Sequence, residues 1–119
     1  MTAHLLTPDL AISSRVTQAA AAAGVAVSVA MSVERLVDNL AGGDARLVIL
    51  DLNTPGLDTA AVVARLRERP ARVPAVIAFG PHVHTAHLTA AREAGCDEVF
   101  TRGQFHANVG EILRRYIEA

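Results

Sequence analysis

The chain has 119 residues and a net charge of −1, and 51% of its residues are hydrophobic although only 3% are aromatic. This length suits one domain, and the absence of a basic excess argues against nucleic-acid binding. All eleven basic residues are arginines, which excludes mechanisms that need a lysine amine, such as Schiff-base formation or P-loop phosphate binding.

Five short apolar runs predict buried β-strands along the chain. Most of these runs are bounded by polar, glycine or proline residues, as is typical of strands that are covered on both faces. The third run ends in a carboxylate, Asp51, before the chain turns through Pro55-Gly56. In chain order, the predicted strands cover residues 3–6, 25–30, 47–51, 73–79 and 99–101.

A helix is predicted after each strand. For the first helix, Thr7 is the predicted N-cap and Gly24 the stop, and Ser32 is predicted to cap the second. A loop is predicted at Gly42-Gly43-Asp44, before the third strand. The third helix is expected over residues 58–69 and is ended by Pro70, and the fourth is expected over residues 84–94. The last is expected to be one continuous helix whose apolar face carries Phe105, Val109, Ile112, Leu113, Tyr116 and Ile117.

Alternation of five strands with five helices predicts an α/β fold. Short connections and right-handed crossovers require a parallel sheet with helices on both faces. Such folds place their sites at the carboxyl edge of the sheet, which is where Asp51 would lie. The core is expected to centre on Val48, Ile49, Leu50, Val76 and Ile77.

The single cysteine, Cys96, cannot form an internal disulfide, as is usual in a reducing cytosol. We expect this thiol to be buried and inert. No signal peptide is evident, and no apolar run approaches the roughly 20 residues of a membrane span. The sequence therefore predicts a cytoplasmic protein without membrane partners.

Two motifs carry a resemblance to a known family. Asp51 is followed by Pro55 and Asp58, and residues 95–102 read Gly-Cys-Asp-Glu-Val-Phe-Thr-Arg. Together with the order of elements, they resemble the CheY-like receiver domain of bacterial response regulators. The resemblance implies a three-layer, flavodoxin-like (βα)5 sandwich with strand order 2-1-3-4-5. It also implies one receiver-like domain over residues 1–119 that belongs to a two-component signalling system and is not an enzyme, with no output domain.

The same resemblance implies a site with Asp51 at the phosphoacceptor position. In the family, two adjacent acids after the first strand help to bind Mg²⁺, a Ser or Thr ends the fourth strand, and a Lys ends the fifth. This chain has Thr7-Pro8-Asp9, Phe79 and Arg102 at those places. The remaining Mg²⁺ ligands would be Asp51, Asp9 and the Asn53 carbonyl, so binding is expected to be weak or absent.

Three functional hypotheses follow. The first is a degenerate receiver that binds proteins without phosphorylation, the second a phosphorylation-competent receiver, and the third a binder of small ligands at the carboxyl edge of the sheet. The first predicts that Arg102 pairs with Asp51 in place of the metal, and that Phe79 fills the phosphoryl space. The residues expected to line the site are Asp9, Asn53, Pro55, Phe79 and Arg102.

The expected partner is a histidine kinase or another signalling protein. Receivers commonly bind through the face of helix four, strand five and helix five, and a homodimer through that face is a further expectation. Its exposed residues would include His87, Arg92, Arg114 and the hydroxyl of Tyr116.

Three other groups have structural interpretations that we prefer to functional ones. The histidines His82, His84 and His87 are expected at a solvated helix start, not at a metal. Asp58 is expected to begin the third helix. Four arginines are expected near the end of that helix, where they complement its dipole: Arg65, Arg67, Arg69 and Arg72.

Overall fold

Five parallel strands form one sheet in the computed structural model, which describes residues 2–41, 44–69 and 73–117. The strands are β1 (Thr2–Leu6), β2 (Ala26–Ala30), β3 (Ala45–Asp51), β4 (Ala75–Gly80) and β5 (Glu98–Thr101). Their order is β2-β1-β3-β4-β5, so the predicted α/β architecture and strand order are confirmed. The predicted Gly42-Gly43 loop, Pro70 and Arg72 lie outside the described residues.

Helices connect the strands and cover both faces of the sheet. They are α1 (Leu10–Ala23), α2 (Val33–Leu40), α3 (Thr59–Arg67), α4 (Thr85–Glu93), α5 (Arg102–Ala107) and α6 (Val109–Ile117). None of the helices in the described part of the chain has the length and apolarity that a bilayer crossing requires.

Alternation along β3 divides the core into two layers. Leu47 and Ile49 pack with α1, α5 and α6 on one face, whereas Val48 and Leu50 pack with α2, α3 and α4 on the other. The predicted core residues are confirmed, because each is completely buried: Val48, Ile49, Leu50, Val76 and Ile77. The central strand is therefore buried on both sides until it ends at Asp51.

Most predicted helix boundaries are confirmed. The Ser32 hydroxyl accepts a hydrogen bond from the Arg35 amide, and Asp58 caps α3 by accepting from the Ala61 amide. Gly24 ends α1 with a φ of 73°, a conformation that glycine adopts without steric cost.

The predicted cap of α1 is wrong. Asp9, not Thr7, is the N-cap, since its Oδ1 accepts hydrogen bonds from the amides of Ala11 and Ile12 at 2.9 and 3.3 Å. The Thr7 amide instead donates to the Ala30 carbonyl at 3.0 Å, which extends the sheet by one residue. The Thr7 side chain is consequently left free for a different contact.

The predicted continuous terminal helix is also wrong. It is interrupted at Asn108, whose φ of −128° and ψ of 18° are not helical. The Asn108 side-chain amide donates to the Gln104 carbonyl at 2.9 Å, and its backbone amide donates to Phe105 at 3.2 Å. Asparagine competes with the helix for backbone partners in this way, so α5 and α6 are separate.

Candidate functional site at the carboxyl edge of the sheet

Asp51 lies at the rim of the sheet with only 3% of its surface exposed. Its Oδ2 accepts a hydrogen bond from the Thr7 hydroxyl at 2.7 Å, and its Oδ1 accepts one from the Asn53 amide at 2.9 Å. The first contact has the short distance typical of a hydroxyl bound to a carboxylate. Both oxygens of the buried acid are thus satisfied by groups of the chain itself.

Thr7 reaches Asp51 because of the strand order. It follows β1 directly, and β1 is the hydrogen-bonded neighbour of β3, so both residues leave the sheet at the same edge. Only 1% of Thr7 is exposed, which leaves its hydroxyl few alternatives to Asp51. The sequence analysis assigned Thr7 to a helix cap and missed this role, although its place at the end of the first strand was a usable signal.

The turn after β3 holds Asp51 in place through its backbone. The Thr54 hydroxyl and amide both donate to the Asp51 carbonyl, at 2.7 and 3.0 Å. Pro55 is exposed on the far side of this turn, and Gly56 has a φ of 74°. The exposed Asn53 contributes its backbone amide to Asp51. The predicted turn therefore contributes a backbone donor, whereas the side chains of Asn53 and Pro55 face outward.

Arg102 does not pair with Asp51, contrary to our prediction. Its Nη2 donates to Asp9 Oδ2 at 3.1 Å, and both side chains are about two-fifths exposed. A guanidinium brought against Asp51 would have to give up its water, whereas the half-exposed Asp9 lets it stay hydrated. Because solvent screens this ion pair, it is expected to contribute little to stability.

Phe79 lies beside Asp51 in the sheet, since the two residues are register partners on β4 and β3. Its ring is buried and stacks on Phe105 of α5, with centroids 4.3 Å apart and planes inclined by 3°. Phe100 of β5 packs against Phe105 at 6.4 Å. The end of β4 therefore carries an aromatic ring and no hydroxyl. The stacking of Phe79 on Phe105 packs α5 against the sheet.

His106 is a residue of this region that the sequence analysis missed. Its ring contacts Phe79 edge-on at 6.2 Å. Burial lowers the pKa of His106, and the nearby Arg15 and Arg102 guanidiniums lower it further, against the opposite effects of Asp9 and Asp51. His106 is therefore favoured in its neutral form. Its position after the last strand was its only signal in the sequence.

The other predicted clusters are at helix ends. His84 and His87 contact each other edge-on at 5.3 Å, and His82, His84 and His87 are all exposed at the start of α4. Residues 2–41, 44–69 and 73–117 contain no group of three or more His, Cys, Asp or Glu side chains placed to bind a metal. At the end of α3, Arg67 donates to the Gly95 carbonyl at 2.9 Å and pairs with Asp97 at 3.6 Å.

Cys96 is half-buried, so the prediction of a buried thiol holds only in part. Burial, together with the Asp97 carboxylate, raises the pKa of this thiol to about 11. The reactive thiolate is therefore scarce near neutral pH.

The face of α4, β5 and α6 combines exposed charges with a fixed polar cluster. His87, Arg92 and Arg114 are exposed, as predicted. Tyr116 is half-buried, because its hydroxyl donates to the Glu98 carboxylate, which also pairs with Arg115. Burial and the Glu98 hydrogen bond raise the pKa of Tyr116. The Tyr116 hydroxyl is thus already engaged on this face.

No family model matches the chain, and no curated protein matches it. Several solved structures, in contrast, superpose on this chain. A response-regulator receiver domain from Bermanella marisrubri superposes with a TM-score of 0.83 at 17% identity, covering 98% of this chain and 97% of that one. A putative response regulator from Chloroflexus aurantiacus J-10-fl has a TM-score of 0.83 at 18% identity, covering 99% and 98%.

A third structure is the beryllofluoride-activated NtrC4 receiver domain dimer. It has a TM-score of 0.76 at 14% identity and covers 97% of this chain and 98% of that one. These identities are low, but the superpositions cover nearly the whole of both chains. The chain therefore has the three-layer, flavodoxin-like fold of response-regulator receiver domains.

Proposed function

We propose that this chain is a pseudo-receiver of two-component signalling, a protein-interaction module that works without phosphorylation of Asp51. One observation carries the proposal: both oxygens of the buried Asp51 carboxylate accept hydrogen bonds from Thr7 and Asn53. A carboxylate oxygen attacks phosphorus through a lone pair, and a hydrogen bond to that oxygen makes it a weaker nucleophile. Here each oxygen accepts such a bond, and the one from the Thr7 hydroxyl to Oδ2 is only 2.7 Å long.

The donor set also does not fit a resident Mg²⁺. This ion requires near-octahedral oxygen ligands. The predicted ligand set contains two acids. Both oxygens of Asp51 already accept hydrogen bonds, and the second acid is Asp9. Its Oδ1 caps α1, and its Oδ2 accepts from Arg102. A cation would have to displace these donors and lie near the Arg102 guanidinium, so these residues do not fit Mg²⁺.

Support for a transferred phosphoryl group is lacking for a separate reason. Its oxygens need hydrogen-bond donors and positive charge as the group is transferred. Phe79 supplies no hydroxyl, and its ring is held against Phe105. Arg102 is engaged with Asp9.

Acetyl phosphate with Mg²⁺ tests the proposal directly. The intact mass of the protein should not increase by one phosphoryl group. The matched variants are Asp51→Asn and Asp58→Asn, which neutralise the two acids of the receiver-like motif. A mass gain that persists in Asp58→Asn but disappears in Asp51→Asn would establish phosphoacceptor chemistry and overturn the proposal.

A Mg²⁺ titration gives an independent check. A ligand that binds only the folded state must raise the melting temperature. We expect no change at millimolar Mg²⁺ in either the native chain or Asp51→Asn. A rise in the native chain that is lost in Asp51→Asn would contradict the proposed donor arrangement.

We further propose that the partner is a signalling protein, such as a histidine kinase, that binds the face of α4, β5 and α6. His87, Arg92 and Arg114 are exposed on this face beside the cluster of Glu98, Arg115 and Tyr116. The similar NtrC4 receiver domain is described as a dimer, which makes a second copy of this chain a candidate for the same surface.

Charge reversal tests the proposed face. Arg92→Glu combined with Arg114→Glu should weaken any self-association seen by light scattering, because two exposed positive charges become negative. Arg35→Glu with Arg15→Glu is the matched control, since both arginines are exposed on α2 and α1. Equal effects of the two pairs would show that the face is not specific. Asp51→Asn should leave the association intact.

A further inference from the structure

An apolar groove lies between α2 and α3, and Asp51 is not among the residues that line it. It has a volume of about 450 Å³. Its floor is formed by buried core side chains, among them Leu36 and Leu66, and its α2 wall by Val33 and Val37. Volumes of this order are typical of pockets that bind small molecules.

Two small residues leave space in the groove on the side of α3 and the preceding turn. Ala61 ends at its Cβ, and Gly56 has no side chain. Ala61 is exposed and Val37 is only half-buried, so apolar surface remains accessible to solvent along the groove. From Asp58, the N-cap of α3, to Leu66, this side of the groove extends for roughly 12 Å at the usual helical rise.

Charge is distributed unevenly along this length. Asp58 lines one end, and its Oδ1 accepts a hydrogen bond from the Ala61 amide. Arg65 lines the groove further along α3, and Arg69 lines it just after that helix ends. Arg65 is exposed, and no hydrogen bond or ion pair joins its side chain to another residue in the described ranges. A groove with apolar walls and a cationic end is complementary to an amphipathic anion.

We propose that the groove between α2 and α3 binds a small amphipathic carboxylate, with its alkyl chain between the helices and its carboxylate at Arg65. The Asp58 carboxylate at the opposite end disfavours the reverse orientation. Most of the affinity comes from the buried alkyl chain, and Arg65 selects the anion over a neutral molecule of the same length.

Decanoate, with decanol as its uncharged match, is the probe that tests this site. In amide-resolved NMR titrations of the whole chain, below the concentration at which micelles form, decanoate should shift resonances of α2 and α3. Arg65→Gln should weaken decanoate binding by up to about fivefold and leave decanol binding unchanged, as expected for an exposed ion pair. Arg15→Gln is the matched control, since it removes an exposed arginine on α1 that does not line the groove.

Ala61→Phe gives a second, independent test. The added ring would fill the groove from an exposed position, so the fold should persist and both probes should lose binding. Retained affinity in Ala61→Phe would overturn the proposal. It would also be overturned by no binding, by equal effects of Arg65→Gln on the two probes, or by shifts centred on other exposed apolar residues such as Leu10 and Val83.

Discussion

Replacing Thr7 by valine should destabilise the chain, because it removes the hydroxyl that donates to Asp51 at 2.7 Å. Valine has nearly the same shape, so packing is preserved while the hydrogen bond is lost. Hydrogen bonds to charged groups contribute about 1.5–3 kcal/mol. Since domains of this kind are stable by about 5–15 kcal/mol, the expected loss is a substantial fraction of the total.

The contact itself is best isolated by a double-mutant cycle with Asp51→Ala. The Thr7 oxygen also accepts a hydrogen bond from the Asp9 amide at 3.1 Å, so the single variant loses two contacts. That second loss occurs with or without Asp51 and cancels in the cycle. The coupling free energy between the two positions should therefore reach about 1.5–3 kcal/mol.

Urea unfolding followed by far-ultraviolet circular dichroism is the suitable assay, because the chain has no tryptophan. Thr17→Val is the control, since the Thr17 hydroxyl donates only to backbone carbonyls on the exposed side of α1. Its effect should stay within about 0.5 kcal/mol. A coupling energy below about 0.5 kcal/mol in the Thr7–Asp51 cycle would refute the account of how Asp51 is held.

Two further predictions concern stability. Ile49→Ala should lower the free energy of unfolding by about 2–5 kcal/mol, because Ile49 is fully buried at the centre of the sheet. Val83→Ala, at an exposed site, is the control and should change this free energy little. Similar losses in the two variants would contradict the central position of β3. Burial and Arg69 lower the pKa of His4 from 6.5, so the unfolded chain takes up a proton more readily than the folded chain, and stability should fall as the pH drops below about 6.5. Urea unfolding between about pH 7 and pH 5 measures how steeply stability depends on pH, and His4→Val should make this dependence weaker. If the dependence is unchanged in His4→Val, it arises from other groups.

The fold could be predicted because its signals are local. Each buried strand forms a short apolar run, and the alternation of strands with helices limits the sheet to few topologies. Ser32 and Asp58 could be placed because a cap depends on neighbouring residues only. Asn108 was missed because the apolar period continues through it, although its side chain binds the backbone and interrupts the helix.

The contacts of the site could be predicted only in part, because they depend on which of several nearby partners each group reaches. Charge balance predicted that Arg102 would pair with Asp51, and that prediction is wrong. It could not distinguish Asp51 from Asp9, since that choice depends on burial: Asp51 is 3% exposed, whereas the Asp9 side chain is 40% exposed. Thr7 was missed because threonine is also a common N-cap residue.

The stacked rings of Phe79 and Phe105 have an evolutionary consequence. Replacing Phe79 by a small hydroxyl residue would remove a buried ring and leave a void beneath α5, with a cost of about 3–5 kcal/mol by analogy with other truncations of buried aromatics. Selection would meet that loss of stability at once, whatever the new hydroxyl contributed to the site, because the contacts of Thr7 and Arg102 with Asp51 and Asp9 would still be unchanged. A hydroxyl residue at position 79 therefore requires compensating substitutions around Phe105 first, which makes this position difficult to change by a single mutation.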